Sequence, residues 1–155
     1  MAAIRLRVPL VKQARDNSCW NGAASMIWLY SQSKTGRQGP MNTLQDRFAI
    51  ADKHGLPLSM IYKLGEKVGL KSLPMKKVHT QADLYTYLRK HGPIWAAGRF
   101  GGGGHVIVLT GVDNDYVYFN DPWEPMRKKA SLAWFNKNLL TNHPRSLMFK
   151  DPARY

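Results

Sequence analysis

The chain contains a single cysteine, Cys19, among its 155 residues. One cysteine cannot form an internal disulfide, which excludes a disulfide-stabilised scaffold and leaves the redox compartment open. A lone cysteine is most often a small buried apolar side chain, and any chemical role of Cys19 is weighed against that alternative.

Long apolar runs are also missing, since no stretch approaches the roughly 18 uninterrupted apolar residues of a membrane helix. The first 17 residues alternate apolar and basic side chains and lack the apolar block and cleavage site of a secretory signal. We therefore expect a soluble protein without a membrane span. If it leaves its cell, a dedicated secretion or injection system exports it or a leader has been removed. The length suits one domain over residues 1–155.

Acidic residues are scarce, with 10 Asp and Glu against 23 Lys and Arg, for a net charge of +13. Such a charge favours an acidic partner. The basic residues are scattered, and the longest run is only 127–129, so the pattern indicates a solvated surface and no specific nucleic-acid binding. No cluster of Cys, His and carboxylates has metal-ligand spacing, and no cofactor is expected.

Helical periodicity dominates the first half of the chain and β-rich segments dominate the second. Asn114-Asp115 separates two of these segments, which predicts a hairpin. Segregation of this kind indicates an α+β fold with a cleft between the two parts. The predicted helices are 19–31, 42–53, 57–68, 80–90 and 131–140, and the predicted strands are 70–73, 93–100, 105–112, 116–121 and 146–149.

Three residues converge on cysteine chemistry. Cys19 opens a predicted helix, whose N-terminal partial positive charge favours a thiolate over a thiol. His105 begins a strand directly after four glycines, and Asp121 ends the next strand of the hairpin. Antiparallel pairing brings the end of one strand beside the start of its neighbour, so His105 and Asp121 are expected to be cross-strand neighbours.

This set matches what nucleophilic catalysis needs: a thiolate, a base, and a group that orients the base. Gln13 lies six residues before Cys19, and its amide and the Cys19 backbone N–H are candidate donors to an oxyanion. Asn120 replaces Asp121 as the orienting group if the strand register slips by one residue. Asp113 and Asp115 are poorer candidates because they lie at the hairpin turn.

The block of Gln13, Ser18-Cys19-Trp20 and the small residues that follow resembles the nucleophile region of papain-like cysteine peptidases. The chain departs from papain in two ways: Cys19 and His105 are much closer in sequence, and the third residue is an aspartate. These features are similar to the leader-peptidase domains of bacteriocin exporters, which cut after double glycine, and to papain-like effector proteases that bacteria inject into other cells.

The resemblance implies a papain-like endopeptidase that acts on a protein or peptide, cutting after small residues or Gly-Gly, with Trp20, Gly103, Gly104 and Trp123 as substrate-binding positions. A narrow groove along 101–104 is expected to exclude branched side chains. The resemblance also implies a free-standing, monomeric bacterial toxin or effector, and the net charge of +13 predicts an acidic inhibitor or immunity protein in its producer. Two alternatives stay open: a peptidoglycan amidase or endopeptidase, and a non-catalytic binding module of protease-like shape.

Overall fold

A computed structural model describes residues 3–14, 16–37, 39, 55–101 and 103–155. The helix predicted over 42–53 lies outside these residues. The described elements, numbered in chain order, are β1 (Ile4–Arg5), α1 (Cys19–Thr35), a 3₁₀ turn (Leu58–Met60) that continues into α2 (Ile61–Val68), β2 (Leu70–Ser72), α3 (Gln81–His91), β3 (Ile94–Gly98), β4 (His105–Val112), β5 (Val117–Asp121), β6 (Met126–Ala130), α4 (Leu132–Asn138) and β7 (Leu147–Lys150).

The strands form one antiparallel sheet in the order β2-β7-β3-β4-β5-β6, with β1 pairing to β4. One face of the sheet packs on α1 and α2 through a core that includes Trp95, Val106 and Val108. The opposite face, which includes Ile107 and Leu109, packs on α3 and α4. The predicted α+β class is confirmed.

Local sequence signals account for several helix boundaries. Gly36 ends α1 with φ 71°, a left-handed conformation that glycine adopts without a Cβ penalty. The capping arrangement predicted at the start of α3 is confirmed: Thr80 Oγ1 accepts from the Asp83 N–H, and the Asp83 carboxylate accepts from the Thr80 N–H. The α1 helix runs four residues beyond the predicted end at 31.

Two strands were absent from the sequence-based prediction. β1 has only two residues, which pair with Gly111 and Val112 of β4. β6 has the sequence Met-Arg-Lys-Lys-Ala, which lacks the β-branched and aromatic residues typical of strands. Both form because a neighbouring strand offers unpaired backbone groups, and β6 is an edge strand, where charged side chains are tolerated.

A β-bulge interrupts the pairing of β4 with β5. Leu109 is opposite Phe119, but Gly111 is opposite Tyr118, so Thr110 is an extra residue on β4. A bulge shifts the register of everything beyond it by one position. Among the described helices, none has the length and apolar character needed to cross a bilayer.

Candidate active site

Cys19 is the first residue of α1 and is partly buried against the core below that helix. Ser18 occupies the N-cap position, and its carbonyl accepts from the Asn21 and Gly22 N–H groups at 3.1 and 3.0 Å. The N–H of a first helical residue has no acceptor within its own helix. The sulfur and an available backbone donor are therefore close together, as predicted from the sequence.

His105 begins β4, and its ring Nε2 lies 2.7 Å from Asp121 Oδ1. Both side chains are largely buried, with 13% and 12% of their surfaces exposed. A short hydrogen bond between a histidine and a carboxylate fixes the tautomer and the ring orientation. The remaining ring nitrogen, Nδ1, is the one left for a second partner.

Asp121, and not its neighbour Asn120, is the partner of His105. Asn120 pairs with Val108 of β4, on the far side of the bulge from the hairpin turn. Asn120 is buried and donates instead through Nδ2 to the Val8 carbonyl at 3.1 Å. The structure therefore gives the alternative orienting group of the sequence analysis a different partner.

The second partner of His105 is Cys19. Burial by itself lowers the pKa of His105, but the hydrogen bond to Asp121, the hydrogen bond to Cys19 and the charge interactions with both together raise it to about 9. A pKa of that size means that the imidazole is protonated at neutral pH. The structure thus brings together the three side chains on which the sequence analysis converged.

Three groups stabilise the Asp121 carboxylate. Its burial raises its pKa, but the His105 hydrogen bond, the Trp123 backbone N–H at 2.9 Å and Lys128 lower it to about 2. Lys128 Nζ lies 3.1 Å from Asp121 Oδ2 and 3.5 Å from Glu124 Oε2. The sequence analysis missed Lys128, which it treated as part of a surface run. The strand pairing of β5 with β6 was the missing signal.

Gln13 lies beside the first turn of α1 and is 6% exposed. Its backbone N–H donates to the Pro122 carbonyl at 2.8 Å, and its side-chain Nε2 donates to the Asp16 carbonyl at 2.8 Å. The side-chain amide of Gln13 is thus anchored to the backbone just before α1. Gln13 is therefore tied to the turn that follows Asp121.

A cleft of about 920 Å³ opens over these groups and is lined by Cys19, His105 and Asp121. Of the predicted substrate-binding positions, Gly103, Gly104 and Trp123 line this cleft. Trp123 is 51% exposed at the rim.

Trp20 occupies a different place. It is 2% exposed in the core behind the cleft, and its indole Nε1 donates to the Asn17 carbonyl. The tryptophans that line the cleft are Trp95 and Trp123. The structure therefore gives Trp20 a packing position.

The glycines before His105 do not narrow the cleft. A methyl group built on Gly101, Gly103 or Gly104 would meet no atom within 4 Å. The expected groove that excludes branched side chains is thus not formed by these glycines. Instead, the crowded cleft position is Gly98, where a methyl group would lie 2.3 Å from the Asn138 carbonyl oxygen.

No group of three metal-ligating side chains occurs among the residues that the structure describes. The described histidines other than His105 lie elsewhere: His79 is fully buried beside Tyr87, His91 stacks on Phe149, and His143 lies in a loop.

Two solved structures are similar to this chain in fold. The chain is similar to a double-glycine-motif protease from an AMS/PCAT transporter in complex with its leader peptide, with a TM-score of 0.61, 17% identity and coverage of 94% of this chain and 91% of that one. It is also similar to the peptidase domain of Streptococcus ComA, a bifunctional ABC transporter of a quorum-sensing pathway, with a TM-score of 0.60, 17% identity and coverage of 92% and 96%.

These two structures share the fold, which confirms the papain-like resemblance. No curated protein matches the chain significantly. Residues 2–140 match the family described as papain-like cysteine protease AvrRpt2. The chain belongs to the papain-like cysteine protease AvrRpt2 family.

Proposed function

We propose that the protein is a cysteine endopeptidase with Cys19 as nucleophile, His105 as acid and base, Asp121 as the orienting carboxylate and Gln13 as an oxyanion donor. One observation carries the proposal: the His105 ring interacts with Asp121 through one nitrogen and with Cys19, inside a cleft that is open to a peptide. A nucleophile, a base and an orienting group in that order define this chemistry.

The reaction follows from the protonation states. The Cys19 thiolate attacks the peptide carbonyl carbon, and the carbonyl oxygen becomes an oxyanion that accepts from the Cys19 N–H and the Gln13 side-chain amide. The tetrahedral intermediate collapses as the His105 imidazolium gives its proton to the departing amine, leaving an acyl-enzyme. His105 then removes a proton from water, which hydrolyses the thioester and restores the thiolate.

Replacement of Cys19 by alanine tests this assignment. We expect the variant to lose cleavage of a protein mixture, measured by mass spectrometry of new N-termini, while its circular dichroism spectrum stays unchanged. His105→Ala should behave in the same way. Retained cleavage in Cys19→Ala would overturn the mechanism, and absence of cleavage by the wild type together with slow alkylation of Cys19 would favour a non-catalytic binding module.

The proposed cleavage site follows a small residue, and Gly-Gly is the specific expectation. The support is the likeness to two proteins, one of which is described as a double-glycine-motif protease. A peptide library randomised at the two positions before the cut measures this preference. A profile dominated by bulky or charged residues there would refute it.

We also propose that the protein acts as a bacterial effector or toxin and that an acidic inhibitor protects its producer. The support is the resemblance to injected effector proteases and the net charge of +13. Co-expression of the protease with neighbouring genes of the producer in a sensitive strain tests this, with growth as the readout. Full toxicity of the Cys19→Ala variant, or inhibition that salt does not weaken, would contradict it.

A further inference from the structure

Three arginines line a second depression, which shares no lining residue with the cleft. Arg5 and Arg7 flank Leu6 where the chain leaves β1, and Arg127 comes from β6. Together these four residues enclose a depression of about 610 Å³, which we name the arginine groove.

Two of the arginines are held in place by neighbouring groups. The Arg5 guanidinium lies 4.0 Å from the centre of the Tyr118 ring. Arg127 Nη2 donates to the Val8 carbonyl at 3.1 Å. These contacts hold the planes of the two guanidinium groups. Each guanidinium carries five N–H donors, so most of the donors stay available to a ligand. A preorganised guanidinium loses less entropy when it binds an anion.

The charge of the groove is not neutralised by nearby carboxylates. The salt bridges within the described ranges do not include any of the three arginines. The Asp113 carboxylate interacts electrostatically with Arg5. Its oxygens, however, already accept hydrogen bonds from the Tyr118 hydroxyl and from the Asp115 and Tyr116 N–H groups. Lys129, 4.3 Å from the centre of the Tyr116 ring, adds a further positive charge on β6.

The arginine groove is adjacent to the active site along β6. Arg127 pairs with Asn120, the residue before Asp121, and is followed by Lys128, which contacts Asp121. The chain that contributes Arg7 continues to Gln13, which is hydrogen-bonded to Pro122. Arg127 of the groove and Lys128 of the cleft are therefore adjacent residues of β6.

We propose that the arginine groove is an exosite that binds an acidic, carboxylate-bearing segment of the peptide substrate. This proposal rests on the proposed peptidase function. Guanidinium groups match carboxylates in bidentate geometry. The groove is short, and its Arg127 is next in sequence to Lys128, which lines the cleft. Nucleic acid requires an extended basic stripe, so a peptide is the occupant that fits.

Binding is measured with the Cys19→Ala protein so that the outcome does not depend on catalysis. The probes are three fluorescein-labelled molecules of equal length: a Glu-rich peptide, a Gly-Ser peptide and a single-stranded oligodeoxynucleotide. Arg7→Glu is the test variant, because the Arg7 side chain has no contact with another described residue that folding would lose. Lys71→Glu is the matched control, since this exposed residue is on β2, at the opposite edge of the sheet.

We expect the Glu-rich peptide to bind, with a dissociation constant that Arg7→Glu raises about tenfold or more and Lys71→Glu changes less than about twofold. Equal weakening by both substitutions would show that only the overall charge acts, and this would overturn the exosite. No weakening by either substitution would overturn it as well, because binding would then not depend on Arg7. Tighter, Arg7-dependent binding of the oligonucleotide would also overturn it, by showing a nucleic-acid site.

A cleavage experiment then connects the groove to the substrate. Two peptides with the same scissile site carry either an acidic or a neutral extension. Arg7→Glu should raise KM for the acidic peptide at least about tenfold, leave kcat unchanged, and leave the neutral peptide unaffected. An equal effect on both peptides would refute the exosite, whereas no cleavage of either by the wild type would count against the peptidase function alone.

Discussion

Gly22 occupies the tightest point of contact between α1 and the turn after β5. A methyl group at this position would lie 2.8 Å from Pro122 Cβ and 3.3 and 3.4 Å from Cα and Cβ of Gln13. Carbon atoms in contact normally lie about 3.5–4 Å apart. Pro122 is a rigid ring next to Asp121, so a Gly22→Ala substitution must move α1 or the turn by somewhat less than about 1 Å.

The expected effects on stability and on activity differ greatly. Overpacking costs about 1–3 kcal/mol, but alanine is better than glycine inside a helix by about 1 kcal/mol. The free energy of unfolding should therefore fall by no more than about 2 kcal/mol. The same movement separates Cys19 from His105 and Asp121, and a displacement of about 1 Å can cost roughly 10²-fold in rate. Activity should fall far more than stability.

The assay compares kcat/KM for a peptide substrate, the rate of Cys19 alkylation by iodoacetamide at mildly acidic pH, and urea unfolding. The alkylation rate reports the thiolate and its imidazolium partner directly. Gly65→Ala in α2 is the matched control: its methyl group would meet the flexible end of Arg145 at 2.8 Å and Met148 Sδ at 3.1 Å. The control should lose stability without losing alkylation rate.

Two results would refute this reasoning. If Gly22→Ala kept full kcat/KM and full alkylation rate, the close packing at Pro122 would not set the geometry of the site. If Gly65→Ala slowed alkylation as much as Gly22→Ala, the loss would be a general consequence of reduced stability.

Four further outcomes follow from the charges of the site and core. Activity should fall as pH rises through about 9, because His105 then loses its proton. The protonated His105 contributes to stability fully below about pH 6.5, and this contribution is lost as pH rises through about 9, which urea unfolding at a series of pH values measures. Asp121→Asn should lower kcat by about 10²–10⁴-fold with little change in KM, and an unchanged kcat would refute its orienting role. Lys128→Met should raise the pKa of Asp121 and move the acid limb of the pH–rate profile upward; a profile that does not move would show that Lys128 has no part in the site. Burial lowers the pKa of His79, whose ring nitrogens have no hydrogen-bond partner among the described residues. Stability should therefore decrease as pH falls below about 6.5, and His79→Phe should remove that slope.

The chemistry of the site could be anticipated because its main signals are local. A cysteine at a helix start, a histidine at a strand start and an aspartate at the end of the next strand are each visible in a short window. The hairpin turn at Asn114-Asp115 then fixes that the two strands are neighbours. Local capping signals at Thr80 predicted the start of α3 in the same way.

The contacts that refine the site depend on distant segments. Lys128 was missed because β6 has no strand signal of its own and forms by pairing with β5. Trp20 was expected at the substrate because it follows the nucleophile, but the helix turns it into the core. The choice of Asp121 over Asn120 depends on how β5 pairs with β4, and single-residue register shifts leave no mark in the hydrophobic pattern of a strand that is buried on both faces.

The sequence by itself determined the type of chemistry and the order of its parts: one sulfur, one imidazole and one carboxylate, each at the end of a regular element. Tertiary structure alone decided which oxygen meets the imidazole, what neutralises that oxygen, and how closely α1 approaches the turn at Pro122. The physical reason is that propensity and periodicity act over a few neighbouring residues, whereas register, burial and charge pairing are set by segments that meet only when the sheet closes.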